Sequence, residues 1–147
     1  MSIARALIMN PKFVICDEPT SMLDVSIRIS IMDLMLDLAK ELNVSYLYIT
    51  HDLAVARYMC NRIAVMFNGK IVEIAKTEEL LSNPTHPYTK RLISSIPVPD
   101  PSYTRVEYEV DFTELDQIIK SNNKNLPMVD IGDEHFVATH DVKDLLI

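Results

Sequence analysis

The sequence predicts an α/β fold built on a parallel β-sheet with flanking helices, followed by a small α+β appendage. The stretch FVICDE at residues 13–18 is an apolar run that ends in two acids, and YLYITHD at residues 46–52 is a second apolar run that ends in polar residues. Between them, residues 25–42 have the two-sided spacing of an amphipathic helix. Two parallel strands with polar residues at their C-terminal ends form the usual ligand crevice of an open α/β sheet.

The other elements of the first 96 residues follow from local signals. Asp24 is expected to cap the helix at 25–42, and Asn43 is expected to end it. Asn68-Gly69 between two apolar runs predicts a type I′ hairpin. The full pattern predicts helices at 2–9, 25–42, 53–60, 77–82 and 87–96, and strands at 13–17, 45–50, 62–67 and 70–75.

A proline-rich segment divides the chain. Prolines at positions 97, 99 and 101 disfavour regular helix and favour extended chain. We therefore predict one domain at 1–96, a linker at 97–104 and an appendage at 105–147. Within the appendage the pattern predicts strands at 107–110, 128–131 and 136–139, and a helix at 112–119.

The helix at 25–42 carries one main apolar stripe, which is expected to pack on the sheet. Its members are Ile27, Ile31, Leu34, Met35, Leu38 and Leu42. Ile29, Met32 and Leu36 fall outside this stripe, so more than one side of the helix is expected to be covered in a full assembly.

The adjacent acids Asp17 and Glu18 carry the main chemical signal. Two anions at the end of a buried strand repel each other and lose hydration, and a magnesium ion that carries phosphates removes that penalty. Asp17 is then expected to hold the metal, directly or through water, and Glu18 to polarise an attacking water. His51, at the tip of the neighbouring strand, is placed to contact a terminal phosphate. The alternative is a strand that simply ends at a solvated acid pair before a turn.

These segments resemble the ATP-binding subunits of ABC transporters, a branch of the P-loop NTPases. FVICDEP resembles the Walker B strand with its catalytic Glu, SMLD resembles the D-loop, and ITHD resembles the switch-histidine loop. Met22 departs from the usual S-A-L-D form. The resemblance implies ATP and magnesium as cofactors, catalytic roles for Glu18 and His51, and nucleotide-site roles for Asp17, Ser21 and Asp24, with Asp24 acting across a dimer interface.

Two further segments resemble the oligopeptide, dipeptide and nickel importer branch of that family. PTHPYTKRL at residues 84–92 resembles its HPYT segment, and HFVA at residues 135–138 resembles its closing element. His86 and Tyr88 lie at a proline-rich entry to a helix, where a plain turn explains them as well as any function does. We favour the turn.

Other elements of the family are missing from the 147 residues. There is no GxxxxGK[ST], and no Q-loop or LSGGQ signature. The chain has 2 glycines, too few to build a loop that cradles phosphates. We therefore expect the C-terminal half of a transporter ATPase that starts at an internal Met, is inactive in ATP hydrolysis by itself, and lacks a strand that belongs between or beside the two parallel strands.

Composition excludes several classes of protein. A net charge of −7 without a basic patch argues against nucleic acid as a partner. No apolar stretch approaches the ~18–20 residues of a membrane span. Cys16 and Cys60 lie in apolar contexts and indicate reduced core thiols. A metal site formed by His135, His140, Asp133 and Asp141 is disfavoured by its loose spacing.

Two classes of function remain open. The first is an ATPase subunit fragment of a peptide-type importer, peripheral on the cytoplasmic face of the membrane, whose partners are membrane-spanning permease subunits, a second ATPase subunit and the missing N-terminal half. The second is a non-catalytic α/β interaction module that retains the acid pair as a relic. The tail of a chromosome-maintenance ATPase is a distant third, since neither coiled-coil heptads nor a basic face is present. The sequence does not identify the transported substrate.

Overall fold

A computed structural model describes residues 2–95 and 126–139, which form two compact units, Met1–Cys60 and Asn61–Ile147. The first unit contains α1 (Ser2–Leu7), β1 (Phe13–Asp17), α2 (Val25–Leu42), β2 (Ser45–Ile49) and α3 (Leu53–Met59). The second contains β3 (Arg62–Phe67), β4 (Lys70–Lys76), α4 (Thr77–Ser82), α5 (Pro87–Ser94), β5 (Met128–Gly132) and β6 (His135–Ala138). Each described element lies within two residues of its predicted bounds.

The first unit is built on β1 and β2, which pair in parallel as predicted. Ile15 lies opposite Leu47 in the register, and Asp17 lies opposite Ile49. Because the two strands pair directly with each other, no further strand lies between them. The expectation of a missing strand between them is therefore wrong, and only an outer edge of this pair is left for one.

The ends of α2 are fixed by the two residues that the sequence indicates. The Asp24 side chain accepts a hydrogen bond from the Ile27 amide at 3.0 Å, which satisfies a backbone donor that the first turn leaves unpaired. Asn43 takes a left-handed conformation with φ 51°, and its amide donates to the Ala39 carbonyl. The 18-residue helix is thus defined locally at both ends.

The buried face of α2 differs from the predicted stripe. Met32 and Met35 are the buried residues of this helix, whereas Ile27, Leu34 and Leu42 are exposed. The apolar residues of α2 cover more than one face, so periodicity alone does not say which face packs on a sheet of only two strands. The packed face is rotated by about one residue, and Met32, placed outside the stripe, lies at its centre.

One face of the β1–β2 sheet is apolar and exposed. Side chains alternate along both strands, so that Cys16 is buried, whereas Phe13, Ile15, Leu47 and Ile49 are 46–63% exposed. A sheet buried on both faces is the rule for parallel strands. The described residues of this unit therefore cover one of its two faces. We call these four side chains the open face.

The second unit is an antiparallel sheet with the strand order β3-β4-β6-β5. The β3–β4 hairpin turns at Asn68 and Gly69, whose φ angles of 47° and 76° are those of a type I′ turn. β6 pairs with β4 through Glu73 opposite Val137 and Ile74 opposite Phe136. The predicted hairpin is thus confirmed, and residues 126–139 of the predicted appendage extend its sheet.

The predicted division at 97–104 stays a prediction, because residues 96–125 and 140–147 lie outside the described part of the chain, together with the predicted strand at 107–110 and helix at 112–119. Among the described residues, the change from one compact unit to the other falls after Cys60. Strand pairing explains this, since β4 and β6 are hydrogen-bonded neighbours although they are far apart in sequence.

Candidate functional site

The candidate site lies where β1 and β2 end, in the first unit. Because the strands are parallel and in register, the residues that follow them emerge at the same edge of the sheet. The Glu18 amide donates to the Ile49 carbonyl at 3.0 Å and extends the ladder by one bond. A pocket at this edge is lined by Glu18, Thr20, Ser21, Arg28, Tyr48, Thr50, His51, Asp52 and Val55.

Glu18 and His51 meet in this pocket. His51 Nδ1 lies 2.6 Å from Glu18 Oε1, and the side chains are 78% and 43% exposed respectively. An ionised carboxylate can only accept, so Nδ1 carries a proton in this arrangement, and Nε2 donates to an anionic ligand only when it carries a second proton. The sequence prediction that the acid strand and the His strand place their polar ends together is therefore confirmed for this pair.

The backbone at Glu18 is strained. Its φ is 42°, in the left-handed region that non-glycine residues rarely occupy. Two hydrogen bonds hold the residue in this conformation: one from its backbone amide to the Ile49 carbonyl, and one between its side chain and His51. Strained residues of this kind cluster at functional sites because the surrounding structure has to enforce them. This left-handed conformation turns the chain sharply at the end of β1.

The turn that follows Glu18 is fixed by its own polar side chains. The Ser21 hydroxyl donates to the Glu18 carbonyl at 3.0 Å, and the Leu23 amide donates to the Thr20 carbonyl at 3.2 Å. The Thr20 hydroxyl also lies 3.0 Å from the Tyr48 hydroxyl, which ties the turn to β2. Ser21 therefore lines the pocket while it stabilises the turn.

The His51 loop is fixed in the same way. The Asp52 amide donates to the Thr50 hydroxyl at 3.0 Å, which closes a tight turn around His51. Asp52 Oδ1 then accepts from the Ala54 and Val55 amides at 2.9 and 3.3 Å and caps α3. The imidazole is thus presented from a short loop that is anchored at both ends.

Two of the predicted site residues lie elsewhere. Asp17 is exposed and shares the face of β1 that carries Phe13 and Ile15, and it is not among the residues that line the pocket. The Asp24 carboxylate is used as the cap of α2. Metal binding by Asp17 and a role of Asp24 across an interface remain predictions.

Sequence reasoning missed Thr20, Arg28, Tyr48 and Val55 as lining residues, whereas Thr50 and Asp52 belong to the polar strand end that it placed at the crevice. Alternation along β2 does place Tyr48 on the face opposite to Leu47 and Ile49, so a period-2 count could have assigned its side chain to the packed face. Arg28 had no such signal, because it lies on a helix face that the apolar pattern did not select.

The HPYT segment and the closing HFVA segment meet in the second unit at Glu73, whose side chain is fully buried. Glu73 Oε1 accepts from the Thr85 amide at 2.8 Å and lies 2.7 Å from His135 Nε2, while Oε2 accepts from the His86 amide at 3.1 Å. The buried carboxylate thereby joins β4, the start of α5 and the start of β6. We call Glu73, His86 and His135 the Glu73 cluster.

His86 has a structural role that the plain-turn interpretation only partly captures. Its Nδ1 accepts from the Tyr88 amide at 3.1 Å and caps α5. Burial of the ring lowers the pKa of His86, and Glu73 opposes this only in part. The Tyr88 ring packs on Phe67 with centroids 4.3 Å apart. The HPYT segment therefore packs within the second unit through a helix cap, a buried imidazole and an aromatic contact.

The metal hypothesis for the C-terminal segment gains no support. His135 is engaged with Glu73, and Asp133 lies in the β5–β6 turn with φ 53°. His140 and Asp141 are outside the described residues. Within residues 2–95 and 126–139 there is no group of three or more His, Cys, Asp or Glu side chains that could hold a metal ion.

Cys16 and Cys60 are both thiols, as the sequence predicts. Burial raises the pKa of Cys16 and of Cys60, which keeps them protonated and unreactive near neutral pH.

The donor set fits one end of a magnesium nucleotide. Carboxylate and hydroxyl oxygens from Glu18, Ser21 and Thr50 line the pocket, and magnesium needs only one or two protein carboxylates because it keeps waters and phosphate oxygens as ligands. A phosphate cradle is different, since it needs glycines beside the site. The two glycines, Gly69 and Gly132, have φ angles of 76° and 115° in the hairpins of the second unit. The described residues therefore fit the magnesium ion and the terminal phosphate, where hydrolysis takes place, and do not provide the phosphate cradle.

The fold is similar to that of a solved ATP-binding cassette. An ATP-binding cassette of an ABC transporter, MJ1267 in its ADP conformation, superposes on this chain with a TM-score of 0.52 and 26% identity, over 64% of this chain and 37% of the other. The expected α/β fold of an ABC ATPase is confirmed.

Sequence comparison shows similarity to oligopeptide transport ATP-binding proteins. Residues 72–118 match the family described as "Oligopeptide/dipeptide transporter, C-terminal region". An oligopeptide transport ATP-binding protein, AmiF of Streptococcus pneumoniae, is 54% identical over 71% of this chain and 34% of its own length. OppF of Streptococcus pyogenes, of the same description, is 48% identical over 93% of this chain and 44% of its own length. The chain is related to the ATP-binding subunits of oligopeptide-type ABC transporters, and spans less than half the length of these relatives.

No helix among the described residues is long and apolar enough to cross a membrane.

Proposed function

We propose that this chain is part of the ATP-binding subunit of an ABC importer for oligopeptides, dipeptides or a related small solute, and that it supplies the hydrolytic side of the nucleotide site. The observation that carries the proposal is the Glu18–His51 contact at the shared edge of β1 and β2. The names of the relatives, oligopeptide transport ATP-binding proteins, support the same assignment.

Glu18 acts as the general base in this proposal. Its carboxylate is half-exposed, so a water can reach it, and the strained turn directs it to the pocket. His51 donates from Nδ1 to Glu18, and as an imidazolium it also donates from Nε2 to a terminal phosphate oxygen, so one ring orients the base and contacts the ligand. Bound magnesium would neutralise the charge on the phosphates, and Ser21 is a pocket residue proposed to face it. Metal binding by Asp17 stays a prediction from the sequence, because its side chain lies on the other face of β1.

The phosphates themselves need a second segment of protein. Phosphoryl transfer is accelerated mainly by positioning and by cationic or amide groups around the phosphates, and the 147 residues contain no GxxxxGK[ST] to supply them. We propose that an N-terminal ATP-binding segment supplies this cradle, that a second ATPase subunit meets Asp24, and that permease subunits hold the assembly on the cytoplasmic face of the membrane.

A docking module without catalysis is the second candidate, because the open face of β1 and β2 offers an apolar surface to a partner. The two candidates differ in what Glu18 does. Only the ATPase proposal requires its carboxylate.

The test is ATP hydrolysis by this chain alone and by a chimera that places the N-terminal portion of the Streptococcus pyogenes relative before it. We expect no phosphate release from the chain alone and turnover from the chimera. Glu18→Gln in the chimera should lower kcat by a factor of 10²–10⁴ while ATP still binds, because the amide keeps the shape and loses the base.

The control is Glu41→Gln, which removes an exposed acid from α2 and should leave kcat unchanged. Normal turnover of the Glu18→Gln chimera would reject the proposed hydrolytic role of this chain. No turnover of the unchanged chimera would favour the docking module. Turnover by the chain alone, above that of its own Glu18→Gln variant, would contradict the need for a second segment.

A further inference from the structure

Arg28, in the first turns of α2, reaches both of the segments that form the candidate site. Its Nη2 donates to the Leu23 carbonyl at 3.3 Å, and its Nη1 lies 3.8 Å from Asp52 Oδ2. Leu23 belongs to the turn after Glu18, whereas Asp52 directly follows His51. One guanidinium therefore spans the two segments that carry the proposed base and the imidazole.

Both ends of this link are well defined. Asp52 Oδ1 is occupied by the Ala54 and Val55 amides, so Oδ2 is the oxygen that faces the guanidinium. At the other end, the Leu23 amide donates to the Thr20 carbonyl, which anchors the residue whose carbonyl accepts from Arg28. The guanidinium therefore joins two segments that are each anchored by hydrogen bonds of their own.

The guanidinium is held within the site and does not project freely into solvent. The Arg28 side chain is 28% exposed, and its Nε is buried without a hydrogen-bond partner among the described residues. It lines the same pocket as Glu18 and His51. The contacts with the Leu23 carbonyl and Asp52 are the ones that hold the guanidinium in this position.

We propose that Arg28 is a positioning residue, which holds the turn at 20–24 and the loop at 50–52 in one arrangement and thereby keeps Glu18 and His51 within hydrogen-bond distance. Arginine suits this role because its planar fork presents donors on separate nitrogens in fixed directions, whereas the three donors of lysine share one nitrogen and span less distance. This inference rests on the proposed function, since it gives Arg28 its part in hydrolysis.

The first experiment measures hydrogen–deuterium exchange in the 147-residue chain, without nucleotide. Arg28→Gln should raise exchange about two- to fivefold at the Leu23 amide and at the Ala54 and Val55 amides together, the size expected for a partly exposed ion pair. Arg28→Lys should give an intermediate increase. Lys40→Gln, which removes an exposed cation from the last turn of the same helix, should change neither segment.

The second experiment measures ATP hydrolysis by the chimera described above. Arg28→Gln should lower kcat about two- to fivefold and leave the KM for ATP almost unchanged, because Arg28 is argued to orient Glu18 and His51 and not to bind nucleotide. Arg28→Lys should restore part of kcat. A merely structural residue would instead lower the fraction of active protein, and the lysine variant would not rescue kcat selectively.

The outcomes separate the two ideas. Unchanged exchange at either segment in Arg28→Gln overturns the link, and so does an increase spread over all strands, β3 and β4 included. A normal kcat for Arg28→Gln, in a chimera that Glu18→Gln inactivates, overturns the positioning role and leaves the proposed function standing. Normal turnover of the Glu18→Gln chimera rejects the proposed function, and with it the role of Arg28 in hydrolysis, whatever the exchange shows.

Discussion

At the scale of single residues, Glu18 combines strain with chemistry. A left-handed conformation costs an ordinary residue about 1–2 kcal/mol, and glycine adopts it almost freely. The contacts with Ile49 and His51 offset this cost in the native chain. At position 18, glycine would therefore suit the backbone conformation better than the glutamate that the site uses.

This difference predicts the stability of two variants. Glu18→Gly should be more stable than Glu18→Ala by about 1 kcal/mol in the free energy of unfolding, and should therefore unfold at a higher urea concentration. Both variants lose the carboxylate, but only alanine keeps the strain at φ 42°. Urea unfolding followed by circular dichroism measures it. Lys40, in a helical stretch of α2, is the matched control, and there the glycine variant should be the less stable by a similar amount. Equal stability of the two Glu18 variants would refute the strain.

At the scale of elements, local signals predicted the hairpin, the strand ends and the caps of α2 correctly, because each depends on a few adjacent residues. Asn68-Gly69 needs only two left-handed residues, and Asp24 needs only the amide three residues on. The contact between Glu73 and His135 joins residues 62 apart in sequence. No periodicity marks such a pair, so the segments at 84–92 and 135–138 could be predicted only as separate pieces.

The candidate site shows the same limit. The strand ends predicted that Glu18 and His51 would lie close together, since parallel strands deliver their C-terminal residues to one edge. The remaining feature of the site, the presence of Arg28 in the pocket, depends on which face of α2 packs on the sheet. That face depends on how many strands the helix covers, which the sequence of the helix does not contain. The burial of Met32 and the position of Arg28 were therefore missed together.

The Glu73 cluster predicts a pH dependence of stability. Because burial lowers the pKa of His86 in the folded chain, the unfolded chain takes up the proton at higher pH, near the ordinary value of ~6.5. The contribution of neutral His86 is therefore complete above about pH 6.5 and is lost as the pH falls from there towards the lower pKa of the folded state. The charged group that acts on His86 is Glu73 on β4, which also contacts His135 on β6. His135 in turn lies 3.9 Å from Glu79 on α4.

The measurement is the urea midpoint at pH 7.5 and pH 5.5 for the native chain and for His86→Asn. Asparagine can still accept from the Tyr88 amide but does not titrate, so the variant should lose less stability between the two pH values than the native chain does. An equal loss in both proteins would assign the pH dependence to other groups and contradict the role of His86.

At the scale of the whole molecule, the open face sets the behaviour of the isolated chain. Parallel sheets are normally covered on both faces, and here Phe13, Ile15, Leu47 and Ile49 remain 46–63% exposed. Fully burying one such side chain is worth about 1.5–3 kcal/mol, which is a sizeable part of the 5–15 kcal/mol that stabilises a typical domain. The uncovered surface therefore favours association, with a second copy or with a segment that completes the sheet.

We expect the 147-residue chain to self-associate through the open face. Ile15→Thr, which keeps a β-branched residue and removes apolar area, should raise the concentration at which light scattering detects oligomers by about tenfold, the factor that corresponds to ~1.4 kcal/mol. Binding of a hydrophobic dye should fall with it. Met66→Thr is the control, because it removes an exposed apolar side chain from β3 in the second unit and should leave both measurements unchanged. A strictly monomeric native chain that binds no dye at high concentration would mean that the open face needs no cover, and the chain would then be a self-sufficient module that completes its own core.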